Sequence, residues 1–294
     1  MKNLNEFNLT EAVTALHRDI DNTRLKVVMD SLVKHLHDFA RDVSLTESEW
    51  MAGIEFLTAV GQICSPTRQE FILLSDTLGL SMLVNAMNQR KPAGCTESTV
   101  LGPFHTDDAP PAANGEDIAA GAPGDPCFVR CTVRNDAGEP LKGARVDVWQ
   151  ADEAGNYDVQ YAGDDRRARA LLRTDDGGAF WFWSIVANQY PIPHDGPVGK
   201  MLDALGRHPW RPAHLHFMID AEGYPRLTTH VFRNGDPYLD SDAVLAVRSS
   251  LIADWVRHEP GQAPDGSRQD TPYYTLEYDF VLSRERDVPA PASH

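Results

Sequence analysis

The sequence has 294 residues, of which 42% are hydrophobic and 24% are charged. These proportions are ordinary for a globular enzyme, and the length suffices for a substantial core. The 43 acidic residues outnumber the 27 basic ones, so the formal net charge is −16. A chain this acidic is a poor partner for nucleic acid or for an anionic membrane, and neither is expected to be a ligand.

The four cysteines are too few for a disulfide scaffold in a chain of this length. Cys127 and Cys131 would share one face of a strand, and isolated buried thiols are a simpler interpretation than a zinc site. Residues 1–6 are polar, without a secretory apolar segment, and no apolar run reaches the length of a membrane span. We therefore expect a cytoplasmic protein without membrane insertion.

Helical patterns fill the first third of the chain. A short helix is predicted to open at residues 10–13, and apolar residues at helical spacing predict a longer one over residues 23–43. Capping-box patterns at residues 46–49 and 67–70 predict further helices over residues 50–63 and 71–87. Gly79 lies inside the last of these and is expected to weaken it slightly.

A connector rich in Pro, Gly, Ala and Asp follows over residues 91–124, and short strand patterns separated by turn signals begin after it. The predicted strands cover residues 128–133, 145–150, 179–186, 214–219, 227–232 and 273–282. Many short strands without intervening helices indicate a sandwich or a barrel. A helical pattern returns only at residues 243–256. The predicted fold class is α+β, with a helical domain over residues 1–95 and an all-β domain over residues 96–294.

Four residues in the β region have the character of metal ligands. His214 and His216 are two residues apart and project from the same face of a predicted strand. Tyr157 follows a Gly-Asn turn signal, and Tyr190 precedes a proline that restricts the backbone. Each residue alone has a plain structural interpretation. Together, two imidazoles and two phenolates would form a hard, anionic site that suits iron(III) far better than zinc.

Two further residues lie close to this set in the sequence. Arg211 precedes His214 by three residues and offers a permanent cation that could stabilise an oxyanion or an anionic aromatic substrate. His230 lies on the next predicted strand and faces either the site or the core. In isolation, the favoured interpretation of Arg211 is a surface arginine in a loop.

The order and spacing of several segments make the chain resemble the intradiol ring-cleaving dioxygenases, non-haem iron(III) enzymes that open catechols between the two hydroxyls. The matching segments are residues 100–104, 146–152, 155–157, 205–208, 211–216, 223–224 and 235–239. The helices before them match the helical linker region of the family, so nearly the whole chain is covered. The resemblance implies a sandwich for the catalytic domain and a homodimer through the N-terminal helices, between which a phospholipid can lie.

The resemblance also implies roles for individual residues. Tyr157, Tyr190, His214 and His216 match the iron ligands; Tyr157 would be displaced by the chelating diol and act as a base, and Arg211 would stabilise charge on the substrate. The implied substrate pocket consists of Leu73, Asp76, Val100, Leu101, Gly102, Pro103, Phe104, Ile192, Pro193, Arg211, His230 and Val244. Asp76 could accept a hydrogen bond from a third ring hydroxyl, unless it is simply a solvated helix residue.

Within the family, residues 189–199, 236–242 and His230 favour the hydroxyquinol 1,2-dioxygenase branch. The expected reaction is cleavage of hydroxyquinol (benzene-1,2,4-triol) with O2 to 3-hydroxy-cis,cis-muconate, the enol form of maleylacetate. A catechol or chlorocatechol 1,2-dioxygenase is the alternative. Two other classes are weighed: a cupin-type metal site that uses Glu222, although its motif spacing is wrong, and a β-sandwich binding module with an incidental metal or none.

Overall fold

The computed structural model describes residues 3–65, 68–163 and 166–284. The chain divides into two compact units, Met1–Gln62 and Ile63–His294. The predicted domain boundary at residues 95/96 is a different division and stays a prediction. Thr67, which opens the second predicted capping box, lies outside the described residues.

The first unit is helical, as the sequence predicts. Its helices are α1 (Leu9–Ala15), α2 (Thr23–Asp42) and α3 (Glu47–Ile63). The capping box ahead of α3 is confirmed: the Glu49 amide donates to Thr46 Oγ1 at 3.3 Å and the Thr46 amide donates to a Glu49 carboxylate oxygen at 2.9 Å. These bonds satisfy two polar groups at the helix start that the helix itself leaves free.

The prediction of one helix over residues 71–87 is wrong. Two helices, α4 (Glu70–Thr77) and α5 (Leu80–Asn88), meet at Gly79, whose φ of 76° is left-handed and suits glycine. The chain bends there by 76°. No single helix among the described residues is long and apolar enough to cross a membrane; α4 and α5 reach that length and apolar composition only as this bent pair.

The second unit is built on two sheets. The four-stranded sheet has the order β10-β13-β1-β4 and the five-stranded sheet has the order β3-β2-β7-β8-β9. The strands of these sheets are β1 (Pro126–Asn135), β2 (Arg145–Gln150), β3 (Arg169–Arg173), β4 (Ala179–Ile185), β7 (His214–Asp220), β8 (Leu227–Arg233), β9 (Ile252–Ala253), β10 (Trp255–His258) and β13 (Tyr273–Leu282). Two small ribbons pair β5 (Tyr190–Pro191) with β6 (Trp210–Arg211) and β11 (Gly261–Gln262) with β12 (Arg268–Gln269).

The sheets pack face to face around one apolar core, which confirms the sandwich. The ring of Phe217 on β7 lies 4.9 Å from Phe280 and 6.2 Å from Phe180, two residues of the opposite sheet. Cys127 and Cys131 are free thiols buried in the same core, in agreement with their sequence interpretation. Since side chains alternate along a strand, the second face of the five-stranded sheet is left to carry other residues.

All six predicted strands are present, but among the described residues one predicted helix is absent and several short elements were not predicted. Residues 243–256 are not an α-helix: Leu245 has φ 59°, and a 3₁₀ turn (Ser249–Leu251) leads into β9 and β10. Leu251 and Trp255 are buried in the β region, so these two apolar residues, four positions apart, reflect tertiary packing and not a helix. The short strand β3 and the helix α6 (Pro197–Ala204) were not predicted.

Candidate metal centre

Strand β7 divides its side chains between the core and the candidate site. Leu215 and Phe217 belong to the apolar core between the sheets. His214 and His216 alternate with them and therefore lie on the opposite face of the five-stranded sheet. Both histidines are almost fully buried. The His-x-His spacing thus places two imidazoles side by side on a rigid strand, as the sequence predicts.

Neighbouring strands place aromatic rings on both sides of His216. Trp149 on β2 and His230 on β8 are its cross-strand partners. The indole of Trp149 stacks on the His216 ring at 4.7 Å, and the His230 ring lies 4.2 Å from it in an edge arrangement. Cross-strand packing of this kind fixes the orientation of the imidazole in the middle.

The two tyrosines reach the same point from loops. Tyr157 is followed by a 3₁₀ turn, and its amide is bonded to Gln160 Oε1 at 2.8 Å. Tyr190 begins β5 and pairs with Arg211 on β6. Gly155, whose φ is 80°, allows the two segments to approach, since a Cβ at this position would lie 2.8 Å from Tyr190 Cβ. The Gly-Asn turn signal before Tyr157 therefore brings the tyrosines together.

The polar atoms of these four side chains converge. Tyr157 Oη lies 2.8 Å from His216 Nε2, 3.5 Å from His214 Nε2 and 3.3 Å from Tyr190 Oη, and the two Nε2 atoms are 3.2 Å apart. Four ligands at ~2 Å from one ion are separated from one another by roughly 3 Å. The structure thus brings together the four residues that the sequence nominated, in an arrangement that one metal ion would fit.

The protonation states of the cluster also suit a cation. His214 Nδ1 donates to the Pro212 carbonyl oxygen at 2.7 Å, so its Nε2 presents a lone pair to the cluster. Burial lowers the pKa of His214 and of His216 well below the usual value, which keeps both rings neutral. Burial raises the pKa of Tyr157 well above its usual value, and the neighbouring Tyr190 adds to this rise. Ionisation of that phenol therefore requires a cation beside it.

His230 lies next to this cluster but is held differently. One of its ring nitrogens lies within 4.8 Å of those of His214 and His216, so the three histidines alone resemble a metal site. However, His230 Nδ1 is 2.7 Å from Thr99 Oγ1, and the closer contacts at the cluster are those of the two tyrosines. This geometry favours Tyr157 and Tyr190 over His230 as partners of the His214–His216 pair.

Arg211 is the cation of the site and has a partner that sequence reasoning missed. Its Nη1 lies 3.3 Å from both Tyr190 Oη and His214 Nε2, and its Nε donates to Asp242 at 3.0 Å. Burial disfavours the charged guanidinium, but the adjacent Asp242 carboxylate keeps the pKa of Arg211 above its usual value. Asp242 lies in the segment 236–242 that suggested the hydroxyquinol branch, and this segment was the sequence feature that could have pointed to Asp242 as a site residue.

A buried ion pair supports Tyr157 from behind. Arg169 on β3 forms two hydrogen bonds, of 2.7 and 2.9 Å, to Asp158, the residue after Tyr157. Its Nη2 also donates to the Phe104 carbonyl oxygen at 2.7 Å, and the Phe104 ring stacks on Tyr157 at 4.5 Å. Arg169 thus ties together the turn of Tyr157 and the loop of Phe104. Sequence reasoning missed it because β3 itself was missed.

A cleft of about 470 Å³ lies beside the cluster. Four of the predicted pocket residues line it: Asp76, Val100, Leu101 and Gly102. It ends near the cluster, because a Cβ on Gly102 would lie 3.3 Å from His216 Cε1. Asp76 is buried rather than solvated, and this burial raises the pKa of its carboxyl.

The other predicted pocket residues do not line this cleft. Phe104, Arg211 and His230 contact the cluster residues as described, and Leu73, Ile192 and Val244 are buried while Pro103 and Pro193 are at least partly accessible. Cleft-lining residues outside the implied substrate pocket include Ile72, Thr99 and Thr228. A role in substrate binding stays a prediction for the whole set.

A β-sandwich in which two phenols and two imidazoles converge has the donor set of one class of protein, the non-haem metalloenzymes. Comparison with models of known protein families identifies the family within this class. One described as "Dioxygenase" matches residues 100–284 and one described as "Catechol dioxygenase N terminus" matches residues 22–96. The chain belongs to the intradiol ring-cleavage dioxygenase family.

Individual relatives match over nearly the whole length. A 6-chlorohydroxyquinol 1,2-dioxygenase of Cupriavidus pinatubonensis is 57% identical over 96% of this chain and 99% of its own. A hydroxyquinol 1,2-dioxygenase of a Rhizobium species is 48% identical over 93% of this chain and 94% of its own. The crystal structure of hydroxyquinol 1,2-dioxygenase from Pseudomonas putida DLL-E4 superposes with a TM-score of 0.89 at 46% identity, covering 95% and 99% of the two chains.

These findings exclude the two other classes of protein, the cupin with a metal site and the β-sandwich binding module. Glu222, the acid that a cupin would use, is exposed in the turn after β7, apart from the buried cluster. Membership of the dioxygenase family replaces the interpretation as a binding module, and the chain is a ring-cleaving dioxygenase that acts on an aromatic diol with O2.

The different settings of His216 and His230 give a test of the ligand assignment. Replacing His216 by Ala removes one nitrogen that would bind the metal. We expect the affinity for iron to fall by more than ~100-fold, because loss of a residue that merely hydrogen-bonds to a metal ligand already lowers affinity by up to ~100-fold. Replacing His230 by Ala should leave the iron content near that of the parent. Iron per chain is measured after loading and gel filtration. Loss of iron from the His230 variant and retention in the His216 variant would reverse the assignment.

Proposed function

We propose that the protein cleaves hydroxyquinol with O2 between its vicinal hydroxyls, giving 3-hydroxy-cis,cis-muconate, the enol form of maleylacetate. The observation that carries this proposal is the convergence of Tyr157, Tyr190, His214 and His216 at the end of a cleft with a buried carboxyl in its wall. The names of relatives at 47–57% identity support the choice of substrate.

The metal in this proposal is iron(III), with Tyr157, Tyr190, His214 and His216 as its ligands. Phenolate oxygens are hard, anionic donors that stabilise a ferric ion, whereas four uncharged nitrogens would not. When bound, the ferric ion would supply the Lewis acidity that ionises a chelating diol and the redox capacity for the reaction with O2. The protein residues supply the remaining functions.

Tyr157 is proposed as the base that accepts a proton from the substrate. Its oxygen contacts both Tyr190 and His216, so it lies at the centre of the cluster. Away from a cation its pKa is raised by burial, and a phenolate displaced by the diol would therefore take a proton readily at its oxygen. Phe104, stacked on its ring, would keep water away from this transfer.

Arg211 is proposed to hold negative charge on the substrate oxygens. It is buried, its charge is fixed by Asp242, and its Nη1 is already aimed at Tyr190 and His214. A preorganised cation in a buried site stabilises developing charge without the cost of reorienting solvent. Asp242 thus acts through Arg211 as a positioning residue.

Asp76 is proposed to recognise the third hydroxyl of the ring. It lines the cleft with Val100, Leu101 and Gly102, which supply apolar contacts on which an aromatic ring can lie. A carboxyl buried in such a wall is stabilised when a hydroxyl bonds to it, and a ring that lacks this hydroxyl leaves it less satisfied. This difference favours hydroxyquinol over catechol.

The reaction is tested by oxygen uptake of the iron-loaded protein with hydroxyquinol and catechol side by side. We expect rapid uptake with hydroxyquinol, one O2 per ring, and a product with the mass of hydroxymuconate or maleylacetate. 6-Chlorohydroxyquinol is included because the Cupriavidus relative is named for it. Iron-free protein corrects for autoxidation of the triol. Preference for catechol or a chlorocatechol would replace the substrate while leaving the metal centre in place.

Asp76 gives a prediction about selectivity. Replacing it by Ala should lower kcat/KM for hydroxyquinol by ~10-fold or more, in line with the loss of a hydrogen bond between buried polar groups. The kcat/KM for catechol should change by less than ~3-fold, because catechol has no third hydroxyl to bond. Steady-state oxygen uptake with both substrates measures the ratio. A parallel loss with both would indicate that Asp76 only supports the structure of α4.

The proposal includes a domain division at residues 95/96 and a homodimer through the N-terminal helices, with a phospholipid between them. The two family profiles meet near this boundary, at residues 96 and 100. α2 has no buried residue in the single chain, and Leu25, Val28, Leu32, Leu36 and Phe39 are 43–56% exposed. Such an apolar face favours a partner or an acyl chain over water. A cytoplasmic location belongs to the same proposal.

A charge on this α2 face should prevent association. We expect Leu32→Glu to convert a dimer into a monomer in analytical ultracentrifugation and to remove any phospholipid that organic extraction and mass spectrometry recover from the parent. Lys34→Glu serves as the matched control, because the Lys34 side chain is already exposed and pairs with Asp38 on the same helix. A Leu32→Glu protein that sediments like the parent would contradict the proposed interface.

A further inference from the structure

His230 has one engaged and one unengaged ring nitrogen. Its Nδ1 lies 2.7 Å from Thr99 Oγ1, and both residues are buried. Among the described residues, its Nε2 is buried without a hydrogen-bond partner. The ring lies 4.2 Å from that of His216 and 4.7 Å from that of His214. A polar atom without a partner therefore lies beside the cluster where the substrate is proposed to bind.

The hydroxyl of Thr99 decides which nitrogen of His230 carries the hydrogen. Within the described part of the chain, His230 Nδ1 is the one hydrogen-bond partner of this buried hydroxyl. If Nδ1 carried the hydrogen and donated it, the Thr99 O–H would have nowhere to donate, and Nε2 would also be unsatisfied. If Thr99 donates to Nδ1, the hydrogen is on Nε2 and only that group lacks a partner. The second arrangement is favoured because it leaves fewer buried groups unsatisfied.

Backbone bonds fix the position of Thr99. Its amide donates to the Thr228 carbonyl oxygen at 3.0 Å, which attaches the connector to the strand of His230. The Asn85 side chain on α5 donates to the Thr99 carbonyl oxygen, also at 3.0 Å. Thr99, Thr228 and Asn85 line the same cleft as Asp76. The hydroxyl of Thr99 is therefore held in place by two elements that shape the cleft.

We propose that Thr99 is a positioning residue that holds His230 as the Nε2–H tautomer, so that this N–H donates to an anionic oxygen of the reacting substrate. This inference rests on the proposed function. A neutral donor that lacks a partner in the free protein gains most when negative charge develops opposite it, so it acts on the reaction more than on binding. Arg211 holds charge by its cation, and His230 adds a second, uncharged donor.

The test replaces Thr99 by Val, a residue of similar shape without the hydroxyl. Since the loss of one preorganised donor costs ~100-fold or more in kcat and a second donor remains, we expect kcat with hydroxyquinol to fall by ~10- to 100-fold. The dissociation constant, measured by anaerobic titration through the phenolate-to-iron absorption band, should change by less than ~3-fold. Thr99→Ser keeps a hydroxyl and should restore kcat. Thr229→Val is the matched control, a buried threonine on β8 whose hydroxyl donates to the Glu97 carbonyl oxygen instead.

The same Thr99→Val substitution in a His230→Gln protein separates control of the His230 tautomer from a general effect on structure. Glutamine carries an N–H donor whatever its neighbour does. Adding Thr99→Val to His230→Gln should therefore lower kcat by less than ~3-fold beyond His230→Gln alone. An equal loss in both backgrounds, or a loss of affinity with unchanged kcat, would overturn the proposal, as would a Thr99→Val enzyme as fast as the parent. If the parent itself consumes no diol, the proposed function fails, which is a different outcome.

Discussion

The close approach of four donor atoms in a buried place is the constraint on which the rest of the structure depends. Two imidazole nitrogens lie 3.2 Å apart and a phenol oxygen lies 2.8 Å from one of them, spacings that one cation bound among these atoms would fit. The sandwich makes this approach possible, because one face of β7 is fixed by the apolar core and the other is free to carry histidines. Rigid support of this kind is what a preorganised site requires.

The residues around the donor atoms divide the remaining tasks. The Arg169–Asp158 pair holds the turn of Tyr157, and the Asp242 carboxylate orients Arg211. Both pairs are buried, and a buried ion pair contributes less to stability than to a fixed geometry, because desolvation offsets much of the attraction. Thr99 acts on His230 by a single hydrogen bond. The turn of Tyr157, the guanidinium of Arg211 and the ring of His230 are thus each held by one further residue.

The cleft and the cluster meet at Gly102. The absence of a side chain there leaves the space beside His216 open, since a Cβ would lie 3.3 Å from its ring. Val100, Leu101 and Gly102, apolar residues in the connector over residues 91–124, therefore line the cleft. Asp76 reaches the same cleft from α4, which shows why a helix far from the strands in sequence contributes to the same pocket.

The sequence by itself determined the α+β class, the six long strands, the first three helices and the four donor residues, because strand alternation and turn residues are local properties. The tertiary structure decided what depends on distant partners. Residues 243–256 have helical spacing but are drawn into turns and strands by pairing with β8 and β13. The Arg211–Asp242 and Arg169–Asp158 pairs and the burial of Asp76 depend on segments that meet only in the folded chain, so a local pattern could mark segment 236–242 but could not reveal these contacts.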